Sequence, residues 1–215
     1  MPSRKYDASR RREAMGATRD RILEAARSII GGTDDLGQFS MEAVARAAHT
    51  SRMTVYHQFH SRAELLAALA DHLAERGGMH RMGEVFREPD PEVALHRLVD
   101  TFVRFWASDR VTLRRLRAMA LVFPADAGPA RDRDAWRREA VLNLLERFGS
   151  GAEAPPSPTR GSQIDLVSWL TSFETFDALC GGGRRPEAVS ALLFELALRT
   201  IRPAASGRRR RVGPR

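Results

Sequence analysis

The sequence of 215 residues contains one cysteine, Cys180, and no long apolar run. A single cysteine excludes an internal disulfide framework and any zinc site that is built from several cysteines. A membrane-spanning helix needs about 20 consecutive apolar residues, and no stretch approaches that length. The basic N-terminus also lacks the apolar segment that follows the charged start of a secretory signal. We therefore expect a soluble cytoplasmic protein that has no membrane partner.

Sequence signatures of enzymes are absent as well. There is no HExxH motif, phosphate-binding loop, dinucleotide-type glycine pattern or nucleophile elbow. The one cluster of possible metal ligands comprises His57, His60, His72, Glu75 and His80. His72 and His80 are eight residues apart, whereas two ligands on one helix face are usually four apart. An enzyme or a metal protein is therefore the disfavoured alternative, and we expect no cofactor and no metal site.

Apolar residues recur at spacings of three and four along most of the chain, and no segment shows the alternation of a β-strand. The predicted fold is all-α with about nine helices, three in an N-terminal unit and six behind it. The predicted helices span residues 18–30, 41–48, 52–59, 61–77, 93–107, 110–123, 129–148, 163–179 and 186–201. Thr18 is the predicted N-cap of the first helix, and the proline-rich residues 153–162 are a predicted linker.

The stretch from residue 40 to residue 69 carries the clearest local signals. Three serines each precede a helical apolar pattern and have the side chain of a helix N-cap. They are Ser40, Ser51 and Ser61. In the predicted helix 52–59, Val55 and Phe59 share one face and the opposite face is polar. Two short helices, a three-residue turn between them and a polar face on the second are typical of a helix-turn-helix.

These residues resemble the DNA-binding domain of the TetR family of bacterial transcriptional regulators. The matching positions are Val44-Ala45, Ala48, Ser51, Thr54, Tyr56, Phe59, Ser61-Arg62 and Glu64-Leu65. Residues 19–30 are similar to the first helix of the family, so the resemblance covers about residues 18–69. The family usually has Gly-Val in the turn where this chain has His49-Thr50. Glycine adopts a positive φ at this kind of position without strain, whereas histidine only tolerates it.

The resemblance implies an N-terminal three-helix helix-turn-helix DNA-binding domain and a C-terminal helical domain for ligand binding and dimerisation. The expected boundaries are residues 18–60 for the first domain and 61–202 for the second, with the fourth helix as the connector. Residues 1–17 are predicted to form a flexible basic arm, and residues 203–215 a disordered basic tail. The formal net charge is +8, and residues 1–21 and 202–215 contribute +4 and +6 of it. For both ends, DNA contact and simple solvation stay open.

Several residues near the predicted recognition helix have the chemistry for DNA contact. Arg52 lies at its N-terminus, where backbone amides favour a phosphate or a base edge. Thr54 can donate to a phosphate, and His57 faces the groove and can read a base. Arg62 is unfavourably placed for the dipole of the fourth helix, and a phosphate would resolve that conflict. The predicted DNA-contact residues are Ser40, Ser51, Arg52, Met53, Thr54, Tyr56, His57 and Arg62. For each of them ordinary helix surface is the alternative.

One recognition helix reads only a few base pairs, so we expect a homodimer on a palindromic site in double-stranded DNA. Apolar stripes on the last two predicted helices suit a four-helix dimer bundle, as in the family, and closing the core of the monomer is their alternative role. The stripes comprise Leu166, Val167, Leu170, Phe173 and Phe176, then Val189, Leu192, Leu193, Leu196 and Leu198.

A helical body behind the DNA reader suggests a sensor for a small-molecule effector. Large side chains in the middle helices are the candidates for its pocket, and ordinary core packing is their alternative role. They are Phe102, Trp106, Met119, Phe123, Trp136 and Trp169. We expect a repressor that a ligand releases from DNA. The alternatives are a nucleic-acid binder without a small-molecule effector and a sequence-independent binder that uses only its tails.

Overall fold

The computed structural model describes residues 4–32, 35–148 and 157–202. This part of the chain contains eleven α-helices, three short 3₁₀ turns and no strand, which confirms the predicted all-α fold. The helices are α1 (Arg4–Gly32), α2 (Met41–Ala47), α3 (Arg52–Phe59), α4 (Arg62–Arg76), α5 (Met82–Arg87), α6 (Pro91–Ser108), α7 (Arg110–Val122), α8 (Gly128–Phe148), α9 (Ser157–Leu170), α10 (Phe173–Gly181) and α11 (Pro186–Ile201). The 3₁₀ turns are Leu36–Gln38, Met79–Arg81 and Pro124–Asp126. Residues 1–3, 153–156 and the predicted tail 203–215 lie outside the described residues.

The described residues form more α-helices than the nine predicted, for two reasons. The short α5 lies where the sequence predicted only a connection. The predicted helix 163–179 is two helices, because α9 ends at Leu170 and a new helix begins at Phe173. Ser172 is the N-cap of the second helix, and its Oγ accepts a hydrogen bond from the Thr175 amide at 3.2 Å. The apolar spacing continues through this break, so periodicity alone did not reveal it. In addition, α9 begins at Ser157, inside the predicted linker, where Pro158 is tolerated because it lies in the first turn.

The first helix is longer than predicted. It begins at Arg4 instead of Thr18, so helical backbone covers most of the segment that was predicted to be an arm. Thr18 is not a cap: its Oγ1 donates a hydrogen bond to the Ala14 carbonyl one turn earlier, at 2.9 Å. The prediction relied on apolar periodicity, which the polar residues before Thr18 lack. Arginine and alanine, which are frequent in this segment, nevertheless have high helix propensity.

The described helices group into two compact units. The first contains the residues up to His80 together with Arg104–Ala135. In it α1 packs against α2, α4 and α7, and α3 packs against α2 and α4. Its fully buried side chains include Ile22, Ile30, Val44, Val55, Leu65 and Leu69. Each such side chain stabilises the fold by about 1.5–3 kcal/mol relative to full exposure, so this core fixes the positions of the short helices α2 and α3.

The second unit contains Arg81–Val103 and the chain from Trp136 onwards. In it α9 packs against α10 and α11, and α10 packs against α11. Its core includes Leu95, Leu98, Val99, Val141, Leu144, Val167, Phe176 and Val189. The buried Gln163 amide donates hydrogen bonds to the carbonyls of Thr200 and Ile201, at 3.0 and 3.1 Å, and so ties α9 to the end of α11.

Within the first unit, Asp109 joins α7 to α1. Its Oδ1 accepts a hydrogen bond from the Thr112 amide at 3.3 Å and so caps α7, while its Oδ2 accepts one from Arg27 Nη1 at 2.9 Å. Burial alone would raise the pKa of Asp109, but the hydrogen bonds from Arg27 and Thr112 outweigh burial and lower it below its ordinary value. The ionised carboxylate is therefore the form that the folded state favours.

Replacing Asp109 with asparagine keeps a capping side chain but removes the charge that pairs with Arg27. We expect the free energy of unfolding to fall by about 1–2 kcal/mol near pH 7. Because the folded-state pKa is lowered, the carboxylate stabilises the fold above its unfolded-state pKa, and this contribution disappears as the pH falls through the folded-state pKa. Urea denaturation measured from about pH 7 down to about pH 2.5 checks this expectation. A difference between the two proteins that does not shrink towards low pH would show that the charge is irrelevant.

Candidate nucleic-acid interface

The bend between α2 and α3 is a helix C-cap motif in which His49 is the first residue after the cap. Ala48 ends α2, and His49 follows with a positive φ of 50°. The His49 amide donates to the Arg46 carbonyl at 3.1 Å, and the Thr50 amide donates to the Ala45 carbonyl at 3.0 Å. This pair of hydrogen bonds is a Schellman motif, a position where glycine is the usual residue because it has no Cβ. The predicted turn is therefore present, with histidine in the left-handed conformation.

Replacing His49 with glycine should stabilise the protein by about 0.5–1 kcal/mol, because the Cβ penalty of the left-handed conformation disappears. Thermal or urea denaturation measures the difference. His57→Gly is the matched control, since His57 lies inside α3 and a glycine there should cost about 1 kcal/mol. Equal losses of stability for both variants would contradict the strain that we assign to His49.

The caps of α2 and α3 are formed as predicted by two serines. Ser40 Oγ accepts a hydrogen bond from the Ala43 amide at 3.1 Å, and Ser51 Oγ accepts one from the Thr54 amide at 3.0 Å. Ser51 Oγ also lies 2.8 Å from Thr54 Oγ1. These bonds satisfy orphan amides at the start of each short helix, so side chains of the protein itself stabilise the first turn of α2 and of α3.

The inner face of α3 is held in the core by two side chains. Val55 is fully buried and Phe59 is 2% exposed. The guanidinium of Arg19 on α1 lies over the Phe59 ring, 4.5 Å from its centroid. The opposite face points outwards, where Met53 is 77% exposed and His57 is exposed as well. The arrangement therefore presents one face of a short, capped helix to solvent.

Arg52 and Tyr56 form a pair on one edge of this outer face. Arg52 Nη2 donates to the Tyr56 hydroxyl at 3.4 Å, and the guanidinium lies 5.2 Å from the centre of the tyrosine ring. Arg52 Nη1 also forms an ion pair with Glu42 Oε1 at 2.7 Å. The hydrogen bond with Tyr56 and then the charge of Glu42 raise the pKa of Arg52. Glu42 on α2 was not among the predicted site residues, and it competes with any phosphate for this guanidinium.

The outer face of α3 continues into a groove formed with α1. Its walls are Ala14, Met15 and Thr18 from α1, and Met53, Thr54, His57 and Gln58 from α3. The groove is open, with a volume of about 450 Å³. Because α1 extends well before Thr18, it supplies a second wall that apolar periodicity did not predict. Three of the predicted DNA-contact residues, Met53, Thr54 and His57, line it together.

Arg62 has a different environment from the other predicted contact residues. Its guanidinium lies between the rings of Phe39 and Phe123, 5.3 and 5.0 Å from their centroids. Its Nη2 is 3.1 Å from Oδ2 of Asp126, a carboxylate with a side-chain exposure of 7%. The positive charge of Arg62 in the first turn of α4 is therefore neutralised by a carboxylate of the protein itself, that of Asp126. Contact of Arg62 with DNA stays a prediction.

The candidate pocket residues are divided between the two units. Trp106 and Met119 line a cavity within the first unit. Phe123 lies beside Arg62. In the second unit, Phe102 is buried with its ring centroid 6.5 Å from that of Trp136, which is partly exposed, as is Trp169. Asp126, which also lines the cavity, was missed because its place beside Trp106 depends on contacts between distant parts of the chain.

The described residues show neither a metal centre nor a membrane span. No group of histidine, cysteine, aspartate and glutamate side chains among them is arranged to hold a metal ion. No helix of the described chain combines the length and the apolar character that crossing a bilayer requires.

Comparison with known proteins gives consistent results. Residues 22–69 match the family model described as "Bacterial regulatory proteins, tetR family". An HTH-type transcriptional regulator of Mycobacterium tuberculosis H37Rv is 28% identical over 211 residues, which cover 96% of this chain and 95% of that protein. A crystal structure of a TetR-family transcriptional regulator from Rhodococcus sp. aligns with a TM-score of 0.64 at 21% identity, over 86% of this chain and 99% of the other.

The same fold occurs in NalD, the secondary repressor of the MexAB-OprM multidrug efflux pump in Pseudomonas aeruginosa. It aligns with a TM-score of 0.64 at 22% identity, over 89% of this chain and 100% of its own. The matched residues 22–69 include the capped α2, the bend at His49 and the exposed α3 described above. Residues 22–69 therefore carry the DNA-binding domain of the TetR family of bacterial transcriptional regulators, and the chain as a whole is similar to regulators of that family.

Proposed function

We propose that this regulator is a cytoplasmic repressor that binds a palindromic operator as a homodimer, through the outer face of α3, and that a small-molecule ligand releases it. The observation that carries the proposal is the orientation of α3. Val55 and Phe59 are buried, so Met53 and His57 on the opposite side are free to enter a major groove. A major groove about 12 Å wide admits one helix with its side chains.

The residues on α3 divide into phosphate contacts and base contacts. Tyr56 and Arg52 lie on one edge, where the hydroxyl can donate to a phosphate and the guanidinium can exchange Glu42 for one. Met53 offers apolar contact to a thymine methyl, and His57 offers a donor or acceptor to a base edge. Thr54 lies between these groups, on the wall of the groove shared with α1.

Ser40 and Ser51 suit phosphate contact in a different way. Ser40 uses a lone pair of its hydroxyl oxygen to cap α2, which leaves its hydrogen able to donate to an anion. Ser51 can donate in the same way when Thr54 is the donor of the 2.8 Å hydrogen bond between their hydroxyl groups. The N-terminus of a helix also attracts anions through its amides and its dipole. Arg62 can join this set only if it leaves Asp126.

Dimerisation is supported by exposed apolar side chains on the second unit. Leu166 and Trp169 on α9 are 50% and 61% exposed, and Leu196 on α11 is 39% exposed. Of the rest of the predicted stripes, Leu192 and Leu198 are half-buried, and the others, such as Val167 and Leu193, are buried in the core of the unit. We propose that the exposed members pack against the same residues of a second copy, in a four-helix arrangement with two-fold symmetry.

Selection of bound sequences from a pool of random DNA duplexes tests the proposal. It must be carried out at a fixed, stated salt concentration, because phosphate contacts make the affinity strongly salt-dependent. We expect enrichment of a palindrome whose half-sites lie in successive major grooves on one side of the duplex. Recovery of duplexes without a common motif would indicate sequence-independent binding and overturn the proposal. A motif without two-fold symmetry would contradict the symmetric dimer.

A further inference from the structure

The first unit contains a cavity directly behind α4. The end of α6, α7, the turn Pro124–Asp126 and the start of α8 form its other walls. The space between the walls is about 600 Å³ when the open solvent at its mouth is included. The enclosed part is narrow, at about 60 Å³. Most of the lining is apolar, including Leu66, Ala70, Phe105, Trp106, Leu113 and Met119.

Two ion pairs hold α4 over this cavity. In each pair one residue belongs to α4 and the other lines the cavity. At the first residue of α4, Arg62 pairs with Asp126 at 3.1 Å. Two to three turns later, Asp71 Oδ1 accepts a hydrogen bond from Arg133 Nη2 at 2.5 Å. The same nitrogen donates to the Ala67 carbonyl of α4 at 3.4 Å. Asp126 and Arg133 both belong to the cavity wall, so a molecule in the cavity touches the groups that hold α4 in place.

The position of α4 matters because α4 supports the recognition helix. It begins only three residues after α3 ends, and the two helices pack against each other. Leu66 and Ala70, which face the cavity, lie between the two ion pairs along α4. A molecule that widens the narrow enclosed space therefore pushes on the part of α4 that the two ion pairs restrain.

The charges around the cavity favour an anion. Arg117, which also lines it, is engaged by both oxygens of Asp134, at 3.1 and 2.9 Å. Arg133 is less well satisfied: its Nε is buried without a hydrogen-bond acceptor, and Asp71 is 77% exposed, so water screens this partner. A buried N–H group without an acceptor is costly, and a guanidinium binds a carboxylate best through two parallel hydrogen bonds. A cation would instead meet these two guanidinium groups, and the one carboxylate of the wall, Asp126, is already paired with Arg62.

We propose that the cavity binds an apolar molecule that carries one carboxylate. The carboxylate accepts hydrogen bonds from Arg133 Nε and from a neighbouring nitrogen of the same guanidinium, so it competes with Asp71 for this group. The apolar part lies against Trp106 and Met119. Loss of the Arg133–Asp71 pair frees α4 to move, and α3 moves with it. This inference deepens the proposed function, because it rests on the release of DNA by a small molecule.

Three probes with the same chain and different head groups test the class of ligand: octanoate, octylammonium and octanol. Calorimetric titration of the full chain should show saturable octanoate binding, about tenfold tighter or more than that of the other two. Arg133→Gln should remove this preference and leave octanol binding unchanged. Arg138→Gln is the control, because Arg138 lies on the same helix and pairs with Asp165. Octylammonium binding as tight as octanoate binding, or an unaffected Arg133→Gln variant, would overturn the site.

A second variant separates the proposed competition from a structural role of Arg133. Asp71→Asn removes the competitor, so it should tighten octanoate binding several-fold and weaken binding to the selected duplex in the absence of any ligand. Octanoate should also weaken duplex binding by the unmodified chain. Octanoate binding that leaves duplex affinity unchanged would overturn the coupling. The calorimetric titrations contain no DNA, so failure of the ligand site and failure of DNA recognition are distinguishable.

Discussion

Replacing Phe59 with alanine is expected to destabilise the first unit by about 3–5 kcal/mol. The phenylalanine ring is 2% exposed, and the Arg19 guanidinium covers it at 4.5 Å. Its removal leaves a cavity under α3 and deprives Arg19 of its aromatic partner. Urea denaturation of the full chain, followed by far-UV circular dichroism, measures the loss.

Met53→Ala is the matched control for this prediction. Met53 lies on the same helix but is 77% exposed, so its truncation should change stability by less than about 0.5 kcal/mol. A Phe59→Ala variant that is as stable as Met53→Ala would show that α3 is not anchored through its inner face.

Replacing Leu166 with glutamate should abolish the dimer at micromolar concentration. In a two-fold interface each copy contributes the same patch, so one substitution introduces two charges into the apolar centre of the contact. Leaving an unpaired charge buried costs about 3–5 kcal/mol, which corresponds to a dissociation constant at least about a hundredfold weaker. Sedimentation equilibrium measures the dimer, and affinity for the selected palindrome should fall with it.

Val93→Glu provides the control for Leu166→Glu. Val93 lies in the same unit and is 42% exposed, close to the 50% of Leu166, and an acidic residue is favourable in the first turn of α6. This variant should remain dimeric. A Leu166→Glu variant that sediments as a dimer and binds the palindrome normally would place the dimer contact elsewhere.

The helix-turn-helix was predictable because its determinants are local. Ser40, Ser51 and Ser61 each cap the helix that follows, as their spacing predicted. An N-cap needs only a hydroxyl and an amide two or three residues later, so the sequence contains all the information. The burial of Val55 and Phe59 also follows from helical periodicity alone.

Features that depend on distant contacts or on interrupted periodicity were not predictable in the same way. The conflict between Arg62 and the dipole of α4 was visible in the sequence, but its partner Asp126 is 64 positions later and lies in a 3₁₀ turn. The break between α9 and α10 was hidden because apolar residues continue through it. The start of α1 was hidden for the opposite reason, since its first turns have no apolar stripe to reveal them.

The residues that line the ligand pocket were also not predictable from the sequence, because they too depend on distant contacts. Aromatic side chains in the middle helices were reasonable candidates, yet only Trp106 and Met119 of the predicted set line the cavity behind α4. Which aromatic residues meet depends on how the helices pack, which a single sequence does not specify. The charged residues of the wall, Asp126 and Arg133, are unremarkable in the sequence, because their importance comes from their partners on α4.

The most direct test of DNA recognition by α3 compares two double variants at one salt concentration. Met53→Ala with His57→Ala removes the two exposed side chains that we assign to base edges, and Leu121→Ala with His80→Ala removes an equally exposed pair from α7 and the turn Met79–Arg81. We expect the α3 variant to bind the selected duplex at least about tenfold more weakly and to lose preference at the bases it reads, while the control binds normally. Equal affinity and equal base preference in the two double variants would contradict the assignment of α3 as the reader.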